Sequence, residues 1–172
     1  MIDVSRLRKV LISMGPTLAL VFSILVMEVP VRLLGGLLPM PILPFIIIFL
    51  YGNYEPEALP APVLFFCGLL HDLLYGAALG VWPSAYLVLH FLVTSQSDYL
   101  HGRLQRVVWL AFSVAVLGVG GLIWVEQSLL ARGWLPMLPL IYQLFMTIAV
   151  YRLAAMLFFY LRERAARAPG AA

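Results

Sequence analysis

Long apolar segments, interrupted by few charged residues, dominate this sequence and restrict what it can fold into. Only 11% of its 172 residues are charged and 63% are hydrophobic, with a mean hydropathy of +1.01. Soluble domains carry about 25% charged residues, and a soluble chain of this size could not keep so much apolar surface from water. The sequence therefore predicts an all-α integral membrane protein with a single membrane domain.

Prolines, glycines and charged residues divide the chain into apolar segments, most of them close to the roughly 20 residues that cross a bilayer. The predicted fold is a six-transmembrane-helix bundle that covers residues 10–161. Its predicted helices are residues 10–29, 39–53, 61–78, 82–97, 107–125 and 138–161. Residues 1–9 form a basic N-terminus and residues 162–172 a basic tail. Residues 31–44 hold several prolines and glycines and predict an interfacial or re-entrant segment after the first helix.

Basic residues are distributed unevenly among the predicted loops. With the N-terminus inside, only Arg32 and Arg132 lie in outside loops. The inside segments hold Arg6, Arg8, Lys9, Arg103, Arg106, Arg162, Arg164 and Arg167. Because positively charged loops stay in the cytoplasm, we predict an inner-membrane protein with both termini cytoplasmic. We attribute the net charge of +3 to this orientation. The sequence has no basic tract with interleaved aromatic residues, as a nucleic-acid-binding surface would need.

The third predicted helix carries a carboxylate, Asp72, within an apolar segment. Gly68, Gly76 and Gly80 surround it at intervals of four residues, so on a continuous helix these residues lie close to one stripe. Such a narrow stripe is predicted to let the backbone of another helix come near. At about 1.5 Å per residue, Asp72 would lie near the membrane midplane. His90 follows the predicted hairpin turn at the same distance as Asp72 precedes it. The two side chains are therefore predicted to lie level and to share a hydrogen bond or a proton.

Two roles for this carboxylate follow from the sequence. Polar side chains often fix helix packing through interhelical hydrogen bonds, which is the more common case. A proton or substrate relay would instead need further polar groups around a cavity. The candidates recur at intervals of four residues on the fourth and sixth predicted helices: Tyr86, His90, Thr94, Gln143, Thr147 and Tyr151. His71 is interpreted as a satisfied polar contact, and Trp82, Trp109, Trp124 and Trp134 as interfacial anchors.

The sequence contains no recognisable catalytic set, metal-ligand spacing or cofactor motif. Its single cysteine, Cys67, excludes an internal disulfide. An intramembrane enzyme is therefore the least favoured of the functional classes.

The segment around Asp72 resembles one known family. Residues 68–76 read Gly-Leu-Leu-x-Asp-Leu-Leu-x-Gly and are followed by Leu79-Gly80 and a turn into an aromatic, aliphatic helix. This pattern resembles the bacterial rod shape-determining protein MreD family. The motif covers residues 65–92. The length, the basic ends and the proline-rich segment after the first helix agree only in pattern.

The resemblance implies a non-enzymatic membrane scaffold of the cell-elongation complex, or elongasome, with no cofactor. Members of the family associate with MreC, a single-span protein with a periplasmic domain. Together they link the cytoplasmic MreB filament to the peptidoglycan polymerase and transpeptidase. The family fold is also similar to the substrate-binding membrane subunits of energy-coupling-factor transporters. A small-molecule-binding transporter subunit is therefore the alternative function, although few internal polar groups are available to hold a ligand.

Overall fold

The computed structural model describes residues 4–28, 40–76, 78–100 and 102–166, with side chains from Met14 to Met27 in the first range and up to Arg164 in the last. All regular structure in these ranges is helical and none of it is strand, which confirms the all-α class. The helices are α1 (Val4–Glu28), α2 (Leu43–Tyr54), α3 (Ala61–Tyr75), α4 (Val81–Thr94), α5 (Ser97–Leu100), α6 (Gln105–Leu130) and α7 (Leu138–Ala166), with a 3-10 turn at Pro56–Ala58.

Several helix ends differ from the predicted ones for local reasons. α3 ends at Tyr75 because Gly76 has a positive φ of 66°, which terminates a right-handed helix. α6 continues to Leu130, beyond the predicted end at residue 125. Glu126 and the polar residues after it are compatible with helical backbone, so the end of an apolar segment is not the end of a helix.

Parts of the predicted interfacial segment and of the termini lie outside the described residues. The description resumes at Met40, and α2 begins at Leu43 with a proline in its first turn, where a missing N–H is tolerated. α7 continues into the predicted tail as far as Ala166, and residues 167–172 lie outside the description. Residues 1–3 of the basic N-terminus lie outside it as well.

α2 lies at the centre of the bundle and contacts α1, α4 and α7. Its apolar residues occur all round the helix, as expected for a buried helix. Phe49 packs edge-on against Phe112 of α6 (ring centroids 5.0 Å apart) and Tyr151 of α7 (5.7 Å). α3 packs mainly on α4, α4 also on α6, and α6 on α7. The chain thus places a hairpin, α3–α4, beside a pair of longer helices, α6–α7.

Two helices of the described chain are long and apolar enough to cross a membrane, Gln105–Leu130 and Leu138–Arg164. Three other apolar helices, α2, α3 and α4, are shorter, at 12–15 residues, and α1 has an apolar part over Met14–Met27 within its 25 residues. The helical architecture agrees with the predicted bundle, whereas six membrane crossings require more length than most of these helices have. A helix of 12 residues, such as α2, is about 18 Å long, compared with a hydrocarbon core of about 30 Å.

Candidate functional site: the α3–α4 joint

The residues of the glycine–aspartate motif meet where α3 turns into α4, and we call this region the α3–α4 joint. Gly76 caps α3 with φ 66°, and its N–H donates to the carbonyl of Asp72. Gly80 precedes α4 with φ 109°. Both conformations are costly for residues with a Cβ. The prediction that Gly76 and Gly80 continue a helical packing stripe is therefore wrong, since they form the turn.

Asp72 lies in the last turn of α3 and is fully buried. Its Oδ2 accepts a hydrogen bond from the Gly80 N–H (2.6 Å), and its Oδ1 accepts one from the Trp82 N–H (3.1 Å). The first N–H groups of a helix have no partner within the helix, and a carboxylate is favourable beside their positive dipole. Asp72 therefore caps the N-terminus of α4 from the neighbouring helix.

The structure does not bring Asp72 and His90 together. Asp72 contacts the first residues of α4, whereas His90 lies about 14 Å further along that helix, at 1.5 Å per residue from Val81. His90 instead lies beside α2, where a Cβ built on Gly52 would be 3.6 Å from its Nδ1. The predicted level pairing placed the hairpin turn at about Val81, but α3 already ends at Tyr75 and α4 begins at Val81. For the same reason Asp72 lies at the end of a helix and not at its middle.

Gly68 allows the two helices to touch through their backbones. A Cβ at Gly68 would lie 2.5 Å from the Cα of Pro83 and 2.6 Å from its nitrogen. No side chain can occupy that space unless α4 moves. Among the motif glycines, Gly68 has the close-packing role that the sequence suggested for the whole stripe.

His71 lies next to Asp72 but faces the aromatic side chains of α4. Its Nδ1 is 2.6 Å from the Tyr86 hydroxyl, and its ring stacks on Trp82 with centroids 3.9 Å apart. The prediction of a satisfied polar contact for His71 agrees with this pairing. Trp82 is 5% exposed and belongs to the core of the joint, so the prediction that it is an interfacial anchor is wrong.

The predicted cavity-lining residues do not converge on one space. Tyr86 and Tyr151 are fully buried, the first bonded to His71 and the second stacked on Phe112 at 4.1 Å. The Thr94 hydroxyl donates to a carbonyl of its own helix.

The last two predicted cavity residues lie in one turn of α7. Thr147 accepts the N–H of Ile42 at the start of α2 (2.8 Å) and donates to the carbonyl of Gln143 (2.7 Å). Gln143 borders a cavity of about 470 Å³, whose other polar walls are Tyr75, Trp82, Trp124 and Gln127. The spacing of four correctly indicates shared helix faces, but these faces pack mainly against neighbouring helices.

The sequence missed one polar contact at this joint. The Ser84 hydroxyl, in the first turn of α4, lies 2.9 Å from Oε2 of Glu126 on α6 and donates to that carboxylate. Glu126 was assigned to a loop. The available signal was that no proline or glycine follows Glu126 before Gly133, so the helix before it can continue through Gln127 and Ser128. The N-terminus of α4 therefore has two carboxylates near it, Asp72 from α3 and Glu126 from α6.

The joint is chemically a connector between helices. Both oxygens of Asp72 accept backbone N–H groups, and the His71 ring is stacked and hydrogen-bonded. Within the described ranges, no three His, Cys, Asp or Glu side chains group as metal ligands would. Comparison of the chain with protein-family models, curated proteins and solved structures finds no significant match.

Proposed function

We propose that this chain is a non-enzymatic, multi-pass scaffold of the bacterial cell-elongation complex, similar to the MreD family. In this proposal it lies in the inner membrane and binds a MreC-like single-span protein. Through that partner it helps couple MreB to the peptidoglycan polymerase and transpeptidase. The observation that carries the proposal is that all four residues of the family-like motif act at one structural element, the α3–α4 joint.

Membrane embedding is supported by the surfaces of α6 and α7. In the most apolar 18 residues of each helix, only 39% of the residues of α6 and 22% of those of α7 are buried. A core helix of a soluble protein would be mostly buried, and exposed apolar patches of this size are unfavourable in water. Lipid contact accounts for both the length and the outward-facing apolar side chains of these helices.

The short helices need a further condition in a six-crossing arrangement. α2, α3 and α4 have 12, 15 and 14 residues, or about 18–22 Å each. They cross only together with the non-helical chain next to them, which is tolerated where protein covers it or where the bilayer thins. The burial of eight residues of α2 within the bundle is consistent with such protection.

Two polar contacts agree with the proposed topology. Arg162, near the end of α7, lies 3.2 Å from Glu55 in the loop after α2. Both segments are cytoplasmic in the proposal. Ser84 at the start of α4 bonds to Glu126 near the end of α6, and both are periplasmic in the proposal. The α3–α4 joint would then face the periplasm, where the folded domain of a MreC-like partner lies.

The test is the Asp72→Ala variant in a rod-shaped bacterium depleted of its own MreD-family protein. We expect the wild-type chain to support rod shape and to co-purify with the MreC-like protein, and Asp72→Ala to lose both. Asp98→Ala removes an exposed carboxylate outside the joint and serves as the matched control. Normal shape and complex recovery with Asp72→Ala would remove Asp72 from the proposal. Failure of the wild-type chain to recover any single-span partner would contradict the scaffold function itself.

The cavity of about 470 Å³ beside Gln143 favours a second candidate, a small-molecule-binding transporter subunit. Its volume lies within the usual range of ligand sites, and Gln127 offers a second amide. The packed positions of Tyr86 and Tyr151 weigh against it. A ligand screen by thermal stability decides the matter. A ligand that stabilises the wild-type chain but not Gln143→Leu would support the transporter function. If no ligand in the screen stabilises the wild-type chain, the scaffold function remains favoured.

A further inference from the structure

A basic groove lies on the outer surface of α6 and α7, away from the α3–α4 joint. It has a volume of about 340 Å³ and is lined by Leu104, Gln105, Arg106, Trp109, Tyr151 and Arg152. Trp109 is held at its edge because its indole N–H donates to the carbonyl of Ile148 on α7 (3.2 Å). The two arginines come from different helices, so the groove exists only when α6 and α7 are packed together.

The positive charge of the groove is not compensated by the described protein. The lining residues include two guanidinium groups and no carboxylate. Three carboxylates of the described chain are bonded elsewhere: Asp72 to the α4 backbone, Glu126 to Ser84 and Glu55 to Arg162. Arg106 and Arg152 have no ion-pair partner within the described part of the chain. Asp72 is not a partner for Arg152, because both of its oxygens accept backbone N–H groups at the start of α4.

The position of Arg152 makes an unpaired charge costly. It is the single charged residue between positions 138 and 161, and its side chain is exposed on α7. The stacking of Phe112 on Tyr151 sets Arg152 about level with residue 112, roughly 9 Å along α6 from Arg106. An arginine at this depth in a bilayer is unfavourable without an anionic partner or access to the headgroups.

We infer that this groove binds the phosphate headgroup of an anionic phospholipid, with Arg106 and Arg152 contacting the phosphate from two helices. Arginine suits this ligand because its planar fork can bond two phosphate oxygens at once. Basic pockets between membrane helices commonly hold such headgroups. Trp109 has the interfacial character of a residue at headgroup depth, and exposed Leu110 and Leu153 offer apolar surface for the acyl chains. The inference depends on α6 and α7 crossing a membrane and is independent of the scaffold function.

The experiment is native mass spectrometry of the full-length chain, purified in mild detergent and supplied with phosphatidylglycerol or phosphatidylcholine. We expect one phosphatidylglycerol to remain bound preferentially. Arg106→Gln and Arg152→Gln should each weaken retention by about tenfold, as expected for loss of a charged hydrogen-bonding partner. Arg152→Lys should weaken it less because the charge remains but the fork is lost.

Arg103→Gln is the matched control, because it removes one exposed charge three residues before Arg106 but Arg103 does not line the groove. It should retain lipid as the wild type does. Equal retention of the two lipids, or unchanged retention in both groove variants, would overturn the inference. Displacement by millimolar inorganic phosphate would show a free-phosphate site and would also overturn it. Both arginines are exposed, so we expect the variants to fold. Monodispersity and thermal unfolding of each variant check this.

Discussion

Gly68 on α3 and Gly120 on α6 both lie at tight helix contacts, but they touch different kinds of atoms. A Cβ at Gly68 would lie 2.5 Å from the Cα of Pro83. A Cβ at Gly120 would lie 2.5 Å from Cδ1 of Leu144. Backbone atoms can move only with their helix, whereas a leucine side chain can change rotamer. The same overlap should therefore be far more costly at the α3–α4 joint than between α6 and α7.

The remaining contacts of the two helix pairs differ in the same sense. α3 and α4 are joined by the Asp72 cap and by the bond between His71 and Tyr86. α6 and α7 are joined largely by ring stacking, as of Phe112 on Tyr151, and by an indole bond from Trp109 to a backbone carbonyl. The comparison indicates that the short hairpin depends on a specific polar and backbone fit, while the long pair depends on tolerant apolar packing.

The largest effect is expected from Gly68→Ala. The added methyl group would force α4 away from α3 and should lower the free energy of unfolding by about 3 kcal/mol, measured by denaturant titration in detergent micelles. Gly118→Ala is the matched control, because a Cβ there meets no atom within 4 Å and alanine favours helix. Equal stability of the two variants would show that the joint is not fixed by backbone contact.

Asp72→Ala should rank second, with a loss of about 2 kcal/mol from the same titration. The variant leaves the Gly80 and Trp82 N–H groups of α4 without their acceptors. Asp72→Asn keeps one carbonyl oxygen and should lose less. An Asp72→Ala variant no less stable than Asp98→Ala, in which an exposed carboxylate is removed, would break the assigned capping role.

Gly76→Ala should cost about 1 kcal/mol, because its φ of 66° is unfavourable for alanine. Space does not limit this position, since no atom lies within 4 Å of an added Cβ. Gly76→Asn should be better tolerated, as asparagine enters the left-handed region more readily. If alanine and asparagine behave identically, the backbone conformation is not the reason for glycine at this position.

Gly120→Ala should have the smallest effect, less than about 1 kcal/mol, since Leu144 can move aside. This variant sharpens the comparison directly when it is measured beside Gly68→Ala. A loss as large as that of Gly68→Ala would show that α6 and α7 are packed as rigidly as the hairpin.

Much of the architecture could be predicted from the sequence, and the errors have identifiable causes. Helices occur in every segment where apolar runs predicted them, because apolar composition and helix propensity act locally. The interval of four residues gave a wrong prediction at Gly76 and Gly80, because glycines with this spacing can either allow close helix packing or end a helix. The pairing of Asp72 with His90 failed for the same reason, because the hairpin turn begins earlier than the apolar pattern indicates.

The prediction that the polar residues of the fourth and sixth predicted helices line one cavity failed for a different reason. Tyr86 on α4 and Thr147 on α7 do lie on the helix faces that the spacing indicated, but both side chains are buried against other helices. Whether a face meets a neighbour or an empty space depends on the packing of distant segments, such as Ile42 against Thr147, 105 positions apart. Local sequence carries no information on such pairs.

The sequence by itself determined the helical class, the apolar surface and the importance of a carboxylate flanked by glycines, because these follow from composition and local spacing. Only the tertiary structure decided what that carboxylate does. Asp72 binds the N–H groups of Gly80 and Trp82, and nearly every residue type has a backbone N–H. Such a partner leaves no mark in the sequence, and it becomes identifiable only when one helix ends beside the start of the next.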